Sequence, residues 1–148
     1  MSNYAENRKV RFNYEILEKY EAGIELLGVE VKSVRRGQMS IEGAFVVVRG
    51  EEAFLLNANI PPYQPLNTPK EYDPLRNRKI LLTKKEITQL ADSEKNKSLT
   101  IVPISVYNKG KKIKVEIALV KGKKKIDKRE TIKKRETDRE IRREYKGR

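Results

Sequence analysis

The chain has no cysteine, no histidine and no tryptophan, and only two methionines among its 148 residues. Without cysteine there is no disulfide framework, so nothing marks it as a small secreted scaffold. Without histidine the commonest general base is missing, and without either residue the usual zinc ligands are missing too. Carboxylates remain as candidate catalysts, but most of them sit among Lys and Arg, as surface charges do. No stretch approaches the roughly 18–20 apolar residues of a membrane-spanning helix. Residues Met1 to Lys9 lack the apolar core of a signal peptide. The expectation is a cytoplasmic protein that is not an enzyme, with no metal site, no cofactor and no membrane partner.

Charge is what the chain has in excess. Asp, Glu, Lys and Arg make up 37% of the residues, against roughly 25% in an average soluble domain. With 34 basic and 21 acidic residues the net charge is +13. Such a surplus repels itself and suits a polyanion, either nucleic acid or an anionic membrane face; solubility alone is the plainer alternative. The charge is unevenly placed. Residues 121–148 hold 14 basic and 6 acidic residues, a net of +8, while the other 120 residues hold 20 and 15, a net of +5. In that arm Ile126, Ile132, Ile141 and Tyr145 give no continuous apolar stripe for docking. Glu130 with Lys134 and Asp138 with Arg142 are favourable i,i+4 pairs. The arm is expected to be largely disordered alone and helical once a polyanion neutralises it.

The length suits one domain, divided into a body over residues 1–120 and a tail over 121–148. The lead-in Arg8-Lys9-Val10-Arg11-Phe12-Asn13-Tyr14 interleaves cations with rings. That pattern fits phosphate contacts plus base stacking, and equally an N-terminal strand whose rings cap the body. Glu15 to Tyr20 reads as a short helix, and Gly23 to Val34 as a long strand with a bulge or bend near Leu27-Gly28. On that reading Glu30 is a solvent-facing strand residue, and the surroundings of Glu21 assign it nothing. Ala44–Val48 and Ala53–Leu56 flank Arg49-Gly50-Glu51-Glu52 as a hairpin, and Arg78–Leu82 is a further strand. Thr83 stands three residues before Glu86, the spacing of a capping box, which predicts a helix from Lys84 to about Ser93. Leu99–Tyr107 and Ile113–Val120 form a second hairpin, with Pro103 implying an edge or a bulge. Five of the six prolines fall within 61–74, and a loop of that length is usually functional or mobile. Short strands without a βαβ rhythm predict a mainly β fold: a small, partly open, OB-like antiparallel barrel of five or six strands with one or two short helices.

Several blocks go further. Glu21-Ala22-Gly23-Ile24-Glu25-Leu26-Leu27-Gly28-Val29-Glu30-Val31-Lys32-Ser33-Val34-Arg35 closely resembles the signature of the SsrA-binding protein family, small protein B. So do Ser40-Ile41-Glu42-Gly43-Ala44-Phe45-Val46, Asn59-Ile60-Pro61-Pro62-Tyr63, Asp73-Pro74-Leu75-Arg76-Asn77-Arg78-Lys79-Ile80-Leu81-Leu82 and Lys121-Gly122-Lys123-Lys124-Lys125-Ile126-Asp127-Lys128-Arg129-Glu130. The blocks follow family order over about residues 7–145.

The resemblance implies an OB-like barrel that binds the tRNA-like end of transfer-messenger RNA, as a monomer in a one-to-one complex. With that RNA it would enter stalled ribosomes in trans-translation. It implies an RNA-facing body that includes Glu21 and Leu81. It also implies a tail in the small subunit's decoding centre and empty message channel, where Lys123, Lys124, Lys125, Asp127, Lys128 and Arg129 would meet ribosomal RNA. Phe12 stands where many members carry a histidine that stacks in the decoding centre; it keeps the stacking half of that role and loses the hydrogen bond and charge. Tyr72 also stands where histidine is common, and no role follows for it. On the body, Lys32, Arg35, Arg76, Arg78 and Lys79 are candidate phosphate contacts, and Glu21 a candidate acceptor from a base edge or a 2′-OH. Two other readings stay open: a carboxylate and Mg²⁺ nuclease, which needs acidic residues clustered at strand ends, and a structural ribosomal protein.

Overall fold

The computed structural model describes residues 3–64, 66 and 69–122. Among them seven strands form one antiparallel sheet: β1 (Asn3–Glu6), β2 (Tyr14–Ile24), β3 (Phe45–Arg49), β4 (Glu52–Leu56), β5 (Arg78–Leu81), β6 (Leu99–Lys109) and β7 (Lys112–Gly122). Across the sheet the order is β1-β6-β7-β2-β5-β4-β3. Three helical segments join them: the single turn α1 (Val10–Asn13), α2 (Gly28–Arg35) and α3 (Lys84–Glu94). The sheet curls until β3 lies beside β6 without pairing to it, and α3 packs against both across that seam. This is the partly open barrel expected, built from seven strands rather than five or six.

Its interior follows from alternation. Ala22, Leu55, Ile80, Val106, Val115 and Ile117 are fully buried from five strands, and Leu90 of α3 joins them. Thr83 caps α3 by accepting from the Glu86 N–H at 3.2 Å, while the Glu86 carboxylate accepts from the Thr83 N–H at 3.0 Å. At the other end of α3, Glu94 accepts the Val48 N–H at 2.8 Å. That bond satisfies a donor on the outer edge of β3, which has no strand beyond it. Pro103 sits at a register shift against β7, so the bulge reading holds.

Two local expectations are overturned. Glu15–Tyr20 is not helical: it is the first half of β2, paired along its length with β7. Tertiary pairing outweighs the helix propensity of Glu, Leu and Lys: Tyr20 and Ala22 turn into the main core with a strand's period, while Ile16, before a register shift, packs in a second apolar cluster with Val10, Val102, Ala118 and Val120. Conversely, the long strand ends at Ile24, and Gly28–Arg35 is a helix. The parity change near Leu27 is a chain entering a helix, where Glu30, Ser33 and Val34 share a buried face at spacings of three and four.

Candidate nucleic-acid interface

The outward side of β2 carries Glu21 and Gly23. Gly23 lies between Leu81 of β5 and Lys114 of β7, and Glu21 lies beside Glu116 of β7. The missing side chain at Gly23 is what Leu81 uses: a Cβ there would stand 3.3 Å from Leu81 Cβ and 3.4 Å from its Cδ1. Leu81 therefore lies across the glycine with 50% of its surface exposed, while its neighbour Ile80 points into the core. Leu81 is thus a surface side chain. Beside it is a shallow depression of about 320 Å³ with an apolar floor of Ile24, Leu26, Val31 and Leu81 and a cationic rim of Arg35, Lys111, Lys112 and Lys114.

Glu21 is held from the neighbouring hairpin. The Tyr107 hydroxyl donates to one carboxylate oxygen, and Lys109 Nζ donates to the other at 2.8 Å. The hydrogen bonds from Lys109 and then Tyr107 keep the carboxyl below its usual range, so it is an anion at neutral pH. Burial, followed by the bond to Glu21, pushes the Tyr107 hydroxyl up. A carboxylate has about four acceptor positions, and two partners leave room for a donor from outside. The chemistry on offer is thus one oriented anion, one exposed apolar side chain and a fringe of cations.

Of the other body residues singled out, Arg35 lies on this rim and its Nη2 donates to the Lys111 carbonyl at 3.1 Å, tying α2 to the β6–β7 hairpin. Lys79 points to the same side of β5 as Leu81, and pairs with Glu52 at 3.2 Å. Lys32 is exposed on α2, its ammonium 5.9 Å from the centre of the Tyr63 ring.

Arg78 is a correction. Expected on the RNA side, it is wholly buried and donates through Nε to Glu30 at 2.8 Å, through Nη1 to the Ala58 and Arg76 carbonyls at 2.8 and 3.1 Å, and through Nη2 to the Pro74 carbonyl at 3.0 Å. Arg76 is spent on the same anion, with Nε 3.0 Å from Glu30 Oε2 and Nη2 bonded to Oε1. Glu30 is likewise no solvent-facing strand residue; it is fully buried and also accepts the Leu27 N–H at 2.8 Å. Burial would raise its carboxyl, but the bonds from Arg76, Leu27 and Arg78 outweigh that and hold it below its usual range. Tyr72 completes the cluster, its hydroxyl 2.7 Å from the Ile60 carbonyl and 3.1 Å from Glu30. These groups stitch the proline-rich loop to α2.

Phe12 is half-buried in the turn of α1. Tyr14 starts β2 seven residues before Glu21, so the two regions are separated by roughly 23 Å of strand. Lys123, Lys124, Lys125, Asp127, Lys128 and Arg129 lie outside the described residues. Sequence reasoning missed Tyr107, Lys109, Lys111, Lys112 and Lys114. The signal was the basic turn Asn108–Lys112, legible as a hairpin, but only the register against β2 brings it beside Glu21. No helix among the described residues is long and apolar enough to cross a membrane.

Comparison with known proteins bears on the family and the fold. The family described as "SmpB protein" matches residues 4–147. The SsrA-binding protein of Mesoplasma florum is 54% identical over 140 residues, covering 95% of this chain and 94% of the relative. That of Thermosynechococcus vestitus is 46% identical over 144 residues, covering 97% and 95%. A chain in the solved structure described as "tmRNA-SmpB: a journey to the center of the bacterial ribosome" superposes with a TM-score of 0.67 at 44% identity, covering 81% of this chain and 84% of that one. Similar in sequence over nearly its whole length and in fold over most of it, the chain belongs to the SmpB protein family.

Proposed function

We propose that the protein is a cytoplasmic, RNA-binding adaptor of trans-translation. It binds the tRNA-like part of transfer-messenger RNA one-to-one and brings it to stalled ribosomes. The observation that carries this reading is Glu21 as an oriented acceptor beside Leu81 laid over Gly23, within a fringe of cations. Cations alone attract any nucleic acid. A fixed anion next to an apolar contact repels backbone phosphate and rewards a donor from a base edge or a 2′-OH, which is how a folded RNA is told from a charge. The tail, with Lys123, Lys124, Lys125, Asp127, Lys128 and Arg129, is assigned to the decoding centre and the empty message channel, and Phe12 to a stacking contact with small-subunit RNA.

Binding is favoured over hydrolysis by how the carboxylates are used. Glu21 is matched by Lys109, Glu30 by Arg76 and Arg78, Glu42 by Lys9 and Glu52 by Lys79. Among the described residues no three acidic groups converge as a metal site does.

Pull-down of the full-length chain with sequencing of the bound RNA tests the reading. Enrichment of transfer-messenger RNA, with co-sedimentation on stalled ribosomes, is the expected result. Equal presence on all ribosomes overturns it in favour of a structural ribosomal protein.

A further inference from the structure

The cations of the interface do not end at the depression. Arg35, on its rim, shares α2 with Lys32, and Arg36 follows at the helix end. Among the described residues no carboxylate lies within ion-pair distance of Lys32, Arg35, Arg36, Lys111, Lys112 or Lys114. By contrast Lys9, Arg76, Arg78, Lys79 and Lys109 are each matched by an acid. Cations without an ion-pair partner, gathered on one side of a chain of net charge +13, are left to attract phosphate.

Where α2 meets the proline-rich segment stands Tyr63, half-buried and outside the apolar core clusters. The Arg36 guanidinium donates to its hydroxyl at 2.9 Å, with the guanidinium carbon 5.2 Å from the ring centre. The Lys32 ammonium is 5.9 Å from that centre. The backbone around the ring is fixed as well. Ser33 Oγ donates to the Pro61 carbonyl at 2.7 Å, and the far end of the loop is tied by Ile60 N–H donating to the Pro74 carbonyl at 3.0 Å. Proline on both sides of the Tyr63–Gln64 pair further narrows its conformations. A ring oriented in advance, with two cations that lack acidic partners standing over it, has the parts of a stacking platform: a base face lies against the ring and the long cationic side chains turn to the phosphates on either side.

We propose that the RNA interface runs from Leu81 across α2 to Tyr63, and that Tyr63 stacks one unpaired nucleotide of the bound RNA while Lys32 and Arg36 hold its flanking phosphates. This rests on the RNA-binding reading above and adds a second recognition point, for a looped-out base.

Ultraviolet crosslinking of the full-length wild-type protein to the tRNA-like part of transfer-messenger RNA, read by mass spectrometry, is expected to join the Tyr63 peptide to one unpaired nucleotide. Crosslinks found elsewhere on the body but not at Tyr63 overturn the proposal and leave the RNA assignment standing. Failure of the wild-type chain to bind that RNA overturns the assignment itself. In parallel, Tyr63→Phe keeps the ring and should bind within about twofold of wild type, whereas Tyr63→Leu should lose about five- to a hundredfold. The salt slope of Tyr63→Leu should match wild type, because no phosphate contact is removed. Wild-type affinity for Tyr63→Leu overturns the platform. If Tyr63→Leu melts well below Tyr63→Phe, the crosslink on the wild-type chain decides.

Discussion

Gly23 and Glu21 set the chemistry of the outer face by opposite means, one through an absent side chain and the other through a tethered one. Gly23→Ala puts a methyl 3.3 Å from Leu81 Cβ, so Leu81 has to shift by a few tenths of an ångström. Affinity for transfer-messenger RNA should fall severalfold with little change in melting temperature, measured by titration and thermal melting. Glu21→Ala discriminates more sharply. Removing an exposed anion from a chain of net charge +13 should, on charge alone, strengthen binding to any RNA. A lost hydrogen bond to an ionised acceptor instead predicts about tenfold to 150-fold weaker binding to the cognate RNA. An unrelated duplex should then bind Glu21→Ala as well as wild type or slightly better. Equal improvement for both RNAs would show that the body reads charge alone. Leu81→Asp should weaken binding more than Leu81→Met, and because Leu81 is half exposed, neither should lower the melting temperature much.

At the scale of elements, α2 matters most for what it buries. Glu30 meets two guanidiniums in the interior, and removing one member of a buried ion cluster typically costs about 3–5 kcal/mol. Glu30→Gln is expected to lower stability by about that amount, read by chemical denaturation. The same group sets an acid limit. Its carboxyl is held below the usual range when folded, so the stability it contributes is complete above the unfolded carboxyl value of about 4.3 and drains away as pH falls through the lower folded value. Wild-type stability should therefore drop below about pH 4, and Glu30→Gln should show a shallower acid limb. Here the sequence was least legible. Ile24, Leu26, Val29, Val31 and Val34 almost alternate, with a shift of parity near Leu27 that reads as a bulge in a strand, and the helix is evident only once Glu30 and Ser33 are known to face inward. Polar residues on a buried face hide the helical period. The same concealment made Arg78 look like a surface cation. Where nearly all the core-facing positions are apolar, as in the β3–β4 and β6–β7 hairpins or behind the Thr83 cap, pattern and structure agree.

For the molecule as a whole, the last strand runs past the boundary at residue 120 that the sequence suggests. β7 continues to Gly122, which pairs with Tyr14, and Lys121 pairs with both Glu15 and Leu99. A chain cut at Val120 loses those last pairs, so the informative truncation ends at Gly122. It should melt as one cooperative unit and still bind transfer-messenger RNA, yet fail to support tagging of stalled peptides. Normal tagging by that chain would remove the arm from the mechanism. The intact chain should lose affinity steeply with salt. If about five to eight phosphates are neutralised, log K against log salt should fall with a slope of roughly −3 to −7. A slope near zero would mean that the surplus charge serves solubility alone.

The cluster of Glu30, Arg76 and Arg78 also constrains how such a chain can change by descent. Replacing Glu30 strands two guanidiniums, and replacing Arg78 leaves the Ala58, Arg76 and Pro74 carbonyls without their donor, so either single step costs stability before a second can restore balance. Paired replacement of Glu30 and Arg78 by methionine, with Arg76 also exchanged for an uncharged residue, should regain much of the stability that each single step loses. Viable lineages are thereby steered to alter these positions together or not at all. The proline-rich loop they hold is thus sheltered from gradual drift by a valley between two stable sequences.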